Sequence, residues 1–347
     1  MITKFESFLN KFDEQAWLGA LDSLLPEIHE VDRAATQIWF RFYPLELFRI
    51  LQTVENKDEL VQKFVLQGDY ELKNQIDSSH KFLYGHRFWT EIKDAIVKYA
   101  ESFTDENTDL ANVIRQIAKN AASAANVGES LTVGMAAVGL MTFAQSGFDA
   151  FKAAEGKVYL DKNHLKLSPE KVLAQRAKDD SQGFLGFLKT IDKEWTVTYD
   201  ENQRSAKFKI INDEEIASAA ARDGSQNWRE KDARCIEGVI PVECRAAACG
   251  TCWIGILGGA EKLSDVEPRE EKQMRVFGYN QPPEAKPFLR LACQAKASGA
   301  ISIVIPPWNG VFGKKVYGNV ENVELVPATT AAAKLRESIA GAIGDSE

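Results

Sequence analysis

Four cysteines carry the most explicit chemistry in the chain. Cys244-Arg245-Ala246-Ala247-Ala248-Cys249-Gly250-Thr251-Cys252 sets three thiols in a C-x4-C-x2-C run, and Cys293 follows in Arg290-Leu291-Ala292-Cys293-Gln294. Soft sulfur donors hold iron well. A zinc ribbon would repeat C-x2-C twice, and the second pair is missing. The spacing instead suits four thiolates on the two tetrahedral irons of a [2Fe–2S] cluster. Small residues between the cysteines let the backbone wrap such a cluster and aim its amides at the sulfurs, which tunes the potential. The fifth cysteine, Cys235, reads as an idle buried thiol. All 5 cysteines fall in the last third of the 347 residues. A disulfide framework would spread them.

The stretch from about Glu194 to Pro307 resembles the plant-type [2Fe–2S] ferredoxin family. Beyond the cysteines, the resemblance takes in a leading hairpin, a helix before the loop, Cys-Arg after the extended Pro241-Val242-Glu243, the Leu263-Ser264 turn with Glu267, Arg290 to Gln294, and a terminal strand ending in Pro306. It implies a ferredoxin-like β-grasp domain binding a [2Fe–2S] cluster. Cys244 and Cys249 would hold the outer iron, Cys252 and Cys293 the inner one. Two features depart from the family. Alanine stands at Ala247 where glycine is usual, and alanine tolerates positive φ poorly. Ser225 to Val239 looks like an insertion, carrying Trp228 and Cys235.

The elements that must position these thiols follow from periodicity. Trp195 to Tyr199 and Ala206 to Ile210 alternate with period two around the polar turn Asp200-Glu201-Asn202-Gln203. Asp213 to Ala221 reads as a short helix capped by Asp213. Ser264-Asp265-Val266-Glu267 is a capping-box pattern ahead of a helix from Glu270 to Val276. Ala300 to Ile305 is a last strand, and Thr330 to Ile343 a short helix in the tail. Upstream, residues 1 to about 125 read as helices: a first amphipathic stretch to Pro26, then Val31 to Phe42, about Leu45 to Leu66, a run from near Thr90, and one opened by Thr108-Asp109. Ser168-Pro169-Glu170 opens another. The fold class is therefore an N-terminal all-α domain (1–190), a C-terminal α+β ferredoxin-like domain (191–310) and a tail (311–347).

Composition bounds the function. At 45% hydrophobic the chain can bury real cores, and a net charge of −8 argues against nucleic acid as a partner. Ser130 to Phe148 has no charge, but its hydroxyls, glutamine and glycines suit a buried Ala/Gly-rich helix better than a membrane span. No apolar signal core opens the chain, which with reduced thiols leads us to expect a cytoplasmic protein. His80 and His86 lie among aromatics in His80-Lys81-Phe82-Leu83-Tyr84-Gly85-His86-Arg87-Phe88-Trp89. A spacing of six does not set them on one helix face, so they read as packing and capping at a helix junction. Ile38 to Tyr43 likewise reads as aromatic core. Neither G-x-G-x-x-G after a strand nor a P-loop is present, so the sequence shows no sign of a flavin or nicotinamide domain of its own. The expectation is a one-electron carrier without a catalytic residue set. Its helical domain would dock a reductase, an acceptor enzyme or a second copy. Two alternatives stand beside it: a scaffold or relay subunit of a larger redox complex, and a redox sensor using Cys235.

Overall fold

The computed structural model describes residues 2–105, 107–183, 193–279, 286–313 and 316. The chain divides into two compact units. The first comprises 1–57, 69–175 and 200–205, and the second 58–68, 176–199 and 206 onward.

The N-terminal part is helical: α1 (Lys4–Leu9), α2 (Glu14–Leu24), α3 (Glu30–Phe42), α4 (Leu45–Thr53), α5 (Lys57–Lys63), then, beyond the short strand β1 (Gln67–Gly68), α6 (Trp89–Ser102), α7 (Leu110–Ala125), α8 (Ser130–Ser146), α9 (Phe148–Ala153) and α10 (Pro169–Ala177). Local chemistry sets several starts. Thr3 and Glu6 form a reciprocal capping box on α1. The Asp109 carboxylate accepts from the Asn112 amide at the head of α7. Ser168 accepts from Lys171 N at the head of α10.

Helix α8 is buried on nearly every side, as the uncharged Ser130 to Phe148 run implied. Its glycines admit the neighbouring helices. A Cβ on Gly134 would stand 2.5 Å from Thr36 Oγ1, and one on Gly139 would stand 2.8 Å from Ile96 Cδ1. Among the described residues no helix is long and apolar enough to cross a membrane. The single run expected from Leu45 to Leu66 is two helices, broken at Val54-Glu55-Asn56. The second ends with Leu66 N donating to Val61 O and Val65 N to Gln62 O. Val65 takes φ 52° there, the position glycine usually fills.

The second unit is built on a mixed five-stranded sheet whose order, edge to edge, is β3 (Lys207–Ile211), β2 (Glu194–Thr198), β8 (Ile301–Val304), β5 (Trp253–Gly258) and β6 (Leu289–Leu291). The hairpin β2 (Glu194–Thr198) and β3 (Lys207–Ile211) pairs Trp195 with Ile210 and Val197 with Phe208. After the two-residue β4 (Glu214–Glu215) come α11 (Ile216–Arg222) and α12 (Trp228–Lys231). Next are β5 (Trp253–Gly258), α13 (Pro268–Phe277), β6 (Leu289–Leu291), the two-residue β7 (Lys296–Ala297), β8 (Ile301–Val304) and β9 (Trp308–Asn309). Strand β8 runs parallel to β2 and antiparallel to β5. This is the α+β arrangement anticipated beside a helical N-terminal region.

Three local expectations differ. Asp213 does not cap a helix; it turns the chain at φ 61° while its amide donates to Ala297 O, and α11 begins at Ile216. Ser264 does not cap α13, because its hydroxyl accepts from Lys296 N; Pro268 at the first position starts that helix instead. Segment 58–68 belongs with the sheet unit: β1 pairs with β9, and Val311 N donates to Phe64 O at 2.6 Å. The helix expected over Thr330 to Ile343 lies outside the described residues.

Candidate iron–sulfur site

Cys244 and Cys249 stand in the loop before β5, Cys252 at its end, and Cys293 just beyond β6. The β5–β6 ladder sets Trp253 opposite Leu291, and Ala292 N donates to Cys252 O at 2.9 Å. That register carries the distant cysteine to the loop. Cys252 and Cys293 are neighbouring thiols, each acting on the other's ionisation, as are Cys244 and Cys249. The first pair is buried, at 2% and 1% exposure, and the second is half-buried. Among the described residues no three His, Cys, Asp or Glu side chains gather around one point as a single ion would need. Two adjacent pairs are what a binuclear cluster requires, with two protein sulfurs per iron.

The surrounding donors fit anionic sulfur. Ala248 N and Ala246 N point at Cys244 Sγ, at 3.2 and 3.4 Å. The Thr251 hydroxyl lies 3.1 Å from Cys249 Sγ and accepts from Glu243 N at 3.2 Å, which leaves its proton for the sulfur. Gln294 Nε2 lies 3.5 Å from Cys293 Sγ. In each pair one thiol is held low and its partner high. The hydrogen bond from Cys249, assisted by the loop amides, lowers Cys244 to about 5, and the same bond with burial raises Cys249. The bond from Cys252 lowers Cys293 while Cys252 is pushed up. The site thus favours one thiolate in each pair even without a cation, while burial and the partner sulfur keep the other thiol protonated.

The loop backbone has an unusual shape. Arg245, Ala247 and Gly250 take φ of 52°, 55° and 68°. Ala247 therefore adopts the left-handed conformation itself, at a cost of about 1–2 kcal/mol for an L-residue. Arg245 braces the loop through Ser218 Oγ at 3.0 Å and an ion pair with Glu237 of the 225–239 segment.

Other supports were not visible in the sequence. Arg290 and Glu270 are both fully buried and form a bidentate pair, Nε to Oε1 at 2.9 Å and Nη2 to Oε2 at 2.8 Å. Glu270 Oε1 also accepts from Leu291 N at 2.9 Å, which ties α13 to the strand entering Cys293. Tyr279, one residue past the glycine that ends α13, stacks on Trp253 with ring centroids 4.1 Å apart. A glycine stop was readable in Phe277-Gly278-Tyr279, but nothing there named the tyrosine's target.

Cys235 stays apart from these four. Its thiol donates to Val239 O at 3.2 Å, and burial pushes it up to about 12, which suits an inert role. His80 and His86 are fully buried in the helical unit, with Nδ1 atoms 2.9 Å apart. His80 Nε2 meets Ile76 O at 3.0 Å and His86 Nε2 accepts from Tyr159 N at 2.9 Å. One neutral tautomer set satisfies the whole chain: His80 Nε2–H donates to the carbonyl, and His86 Nδ1–H donates to His80. All four ring nitrogens are engaged.

Comparison with curated proteins and with solved structures gave no match. Residues 204–298, which contain all four of these cysteines, match the model of the 2Fe-2S iron-sulfur cluster binding domain family, and this C-terminal segment is a domain of that family, one that binds a [2Fe–2S] cluster.

Proposed function

We propose that Cys244 and Cys249 hold one iron and Cys252 and Cys293 the other, and that the protein is a one-electron carrier. The observation behind this reading is the gathering of four thiols two by two, with donors aimed at the sulfurs. The bound cluster supplies reversible one-electron chemistry. The chain's own residues do the rest. The Ala246 and Ala248 amides and the Thr251 hydroxyl stabilise negative charge on sulfur, which favours the reduced state. Burial of Cys252 and Cys293 excludes water from one side. The half-buried Cys244 and Cys249 leave the other side as the edge through which an electron passes to a partner. The partners are redox proteins, a reductase and an acceptor enzyme in the cytoplasm. The helical unit serves docking or self-association.

Visible absorption and reduced-state electron paramagnetic resonance of the anaerobically purified full chain test the site. Charge-transfer bands and a one-electron signal are expected, with both lost in Cys293→Ala. A colourless protein holding stoichiometric zinc would overturn the reading. Native mass measurement tests the helical unit's role. A free carrier runs as a monomer or small homo-oligomer, and obligate co-purification with other subunits would overturn free-carrier behaviour.

A further inference from the structure

Tyr279 is placed with unusual care for a residue with no apparent part in ligation. Helix α13 ends with Gly278 at φ 89°, and Tyr279 N donates back to Met274 O at 2.9 Å while Gly278 N donates to Arg275 O. This C-cap turns the tyrosine into the core. There it packs on Trp253, and its hydroxyl reaches two carbonyls, Gly250 O at 3.0 Å and Gly310 O at 2.8 Å. One proton shared between two acceptors is a three-centre bond. It pins the cysteine loop to the segment after β8.

The pinned carbonyl belongs to the Gly250–Thr251 peptide. Peptides are planar, and this one is trans, so its N–H points opposite to its C=O. That N–H belongs to Thr251, two residues past Cys249, and the Thr251 hydroxyl lies 3.1 Å from Cys249 Sγ. The glycine allows this orientation: it takes φ 68°, and a Cβ there would press on the Phe277 ring at 3.0 Å.

We propose that Tyr279 is a positioning residue for the redox centre, its hydroxyl fixing and polarising the Gly250–Thr251 peptide so that the Thr251 N–H donates to the Cys249 sulfur. Hydrogen bonds in series strengthen one another, and a donor on a ligand sulfur favours the more negative, reduced state. The inference rests on the ligand assignment proposed above.

The test is a redox titration of the full-length holoprotein, followed by visible absorption. It compares wild type, Tyr279→Phe and Trp308→Phe. Trp308 packs on Trp253 in the same aromatic cluster, and among the described residues its indole N–H has no partner. Trp308→Phe therefore disturbs packing and leaves the hydroxyl in place. Tyr279→Phe is expected to disfavour reduction about tenfold, a shift of about −59 mV for a one-electron couple, with Trp308→Phe unshifted. An unshifted Tyr279→Phe, or an equal shift in Trp308→Phe, overturns the assignment of Tyr279. A colourless wild type would instead overturn the cluster reading. Wild type alone gives a second readout, pulsed magnetic resonance of the reduced protein after transfer to deuterated water. A clamped Thr251 amide keeps its proton coupling for hours, and rapid loss of that coupling overturns the proposal even if Tyr279→Phe fails to fold.

Discussion

Removing the Glu270 carboxylate is expected to unfasten Cys293. Glu270 and Arg290 have no exposed surface, and the pair is bidentate. In Glu270→Ala the guanidinium stays buried without its counter-charge, and Leu291 N loses its acceptor. Breaking a buried pair from one side costs about 3–5 kcal/mol, and an orphaned buried amide costs about 1–3 kcal/mol. These overlap, because the chain relaxes, so about 4 kcal/mol is expected. Against a urea dependence of about 2 kcal/mol per molar, that lowers the unfolding midpoint by about 2 M. The double variant Glu270→Leu/Arg290→Met removes both charges. It leaves Leu291 N, Ser264 O and Asp265 O without their partners, yet it should stand at least about 1 kcal/mol above Glu270→Ala, since no buried charge is left alone. The assay is the urea midpoint of the visible absorption, which reports the cysteine-bearing unit. All variants need one protocol, because cluster loss makes the transition irreversible. A Glu270→Ala midpoint within 0.25 M of wild type (about 0.5 kcal/mol at that slope), or a double variant weaker than Glu270→Ala, would refute the reasoning.

Three further outcomes follow from the same geometry. Thr251→Val keeps the volume and deletes the hydroxyl beside Cys249; the midpoint potential should fall by on the order of tens of millivolts, and an unchanged or higher potential counts against it. The helical unit should weaken in acid. Burial lowers His86 from 6.5 to about 4 and pushes His80 down as well, so the unfolded chain binds more protons between those values. Stability is complete above pH 6.5 and is lost as pH falls toward 4, by about 3 kcal/mol for His86 alone; a flat urea midpoint by circular dichroism between pH 6.5 and 5, above the usual carboxylate range, would contradict it. Phe64→Ala should destabilise the unit that holds the cysteines by about 3 kcal/mol, although Phe64 lies far outside residues 204–298; unchanged loss of the visible bands in urea would argue that 58–68 is not part of that unit.

The proposed ligand set rests on a local signal: types and spacing over nine residues, plus one distant partner supplied by a family resemblance. Helices were legible where an amphipathic stripe or a capping side chain announced them, as at Asp109 and Ser168. The misreadings share a cause. Ser264 and Asp213 have the side chains of helix caps, but each is taken by a strand partner, Lys296 N for the hydroxyl and Ala297 O for the Asp213 amide. Such partners are remote in sequence, so a local rule cannot see them. Val65 shows the converse. Helix α5 stops where no glycine or asparagine marks a stop, because Phe64 and Leu66 are buried in the sheet unit and hold the left-handed turn between them.

The same contrast separates ligation from tuning. Thiolates in the right spacing suffice to name the cluster, because sulfur chemistry is a property of residue type. What sets the electronic environment is carried by groups that type alone does not single out: the amides of Ala246 and Ala248, a threonine proton freed because Glu243 N occupies the oxygen, and a tyrosine aimed by a helix C-cap. Each depends on backbone direction. Three left-handed residues in the loop fix that direction, and only one of them is glycine. Strain held at Arg245 and Ala247 must be offset by contacts outside the loop. The Glu237 and Ser218 bonds to Arg245 and the buried Ala247 methyl are those contacts. It follows that the 225–239 segment, which supplies Glu237, is part of what holds the thiols in register.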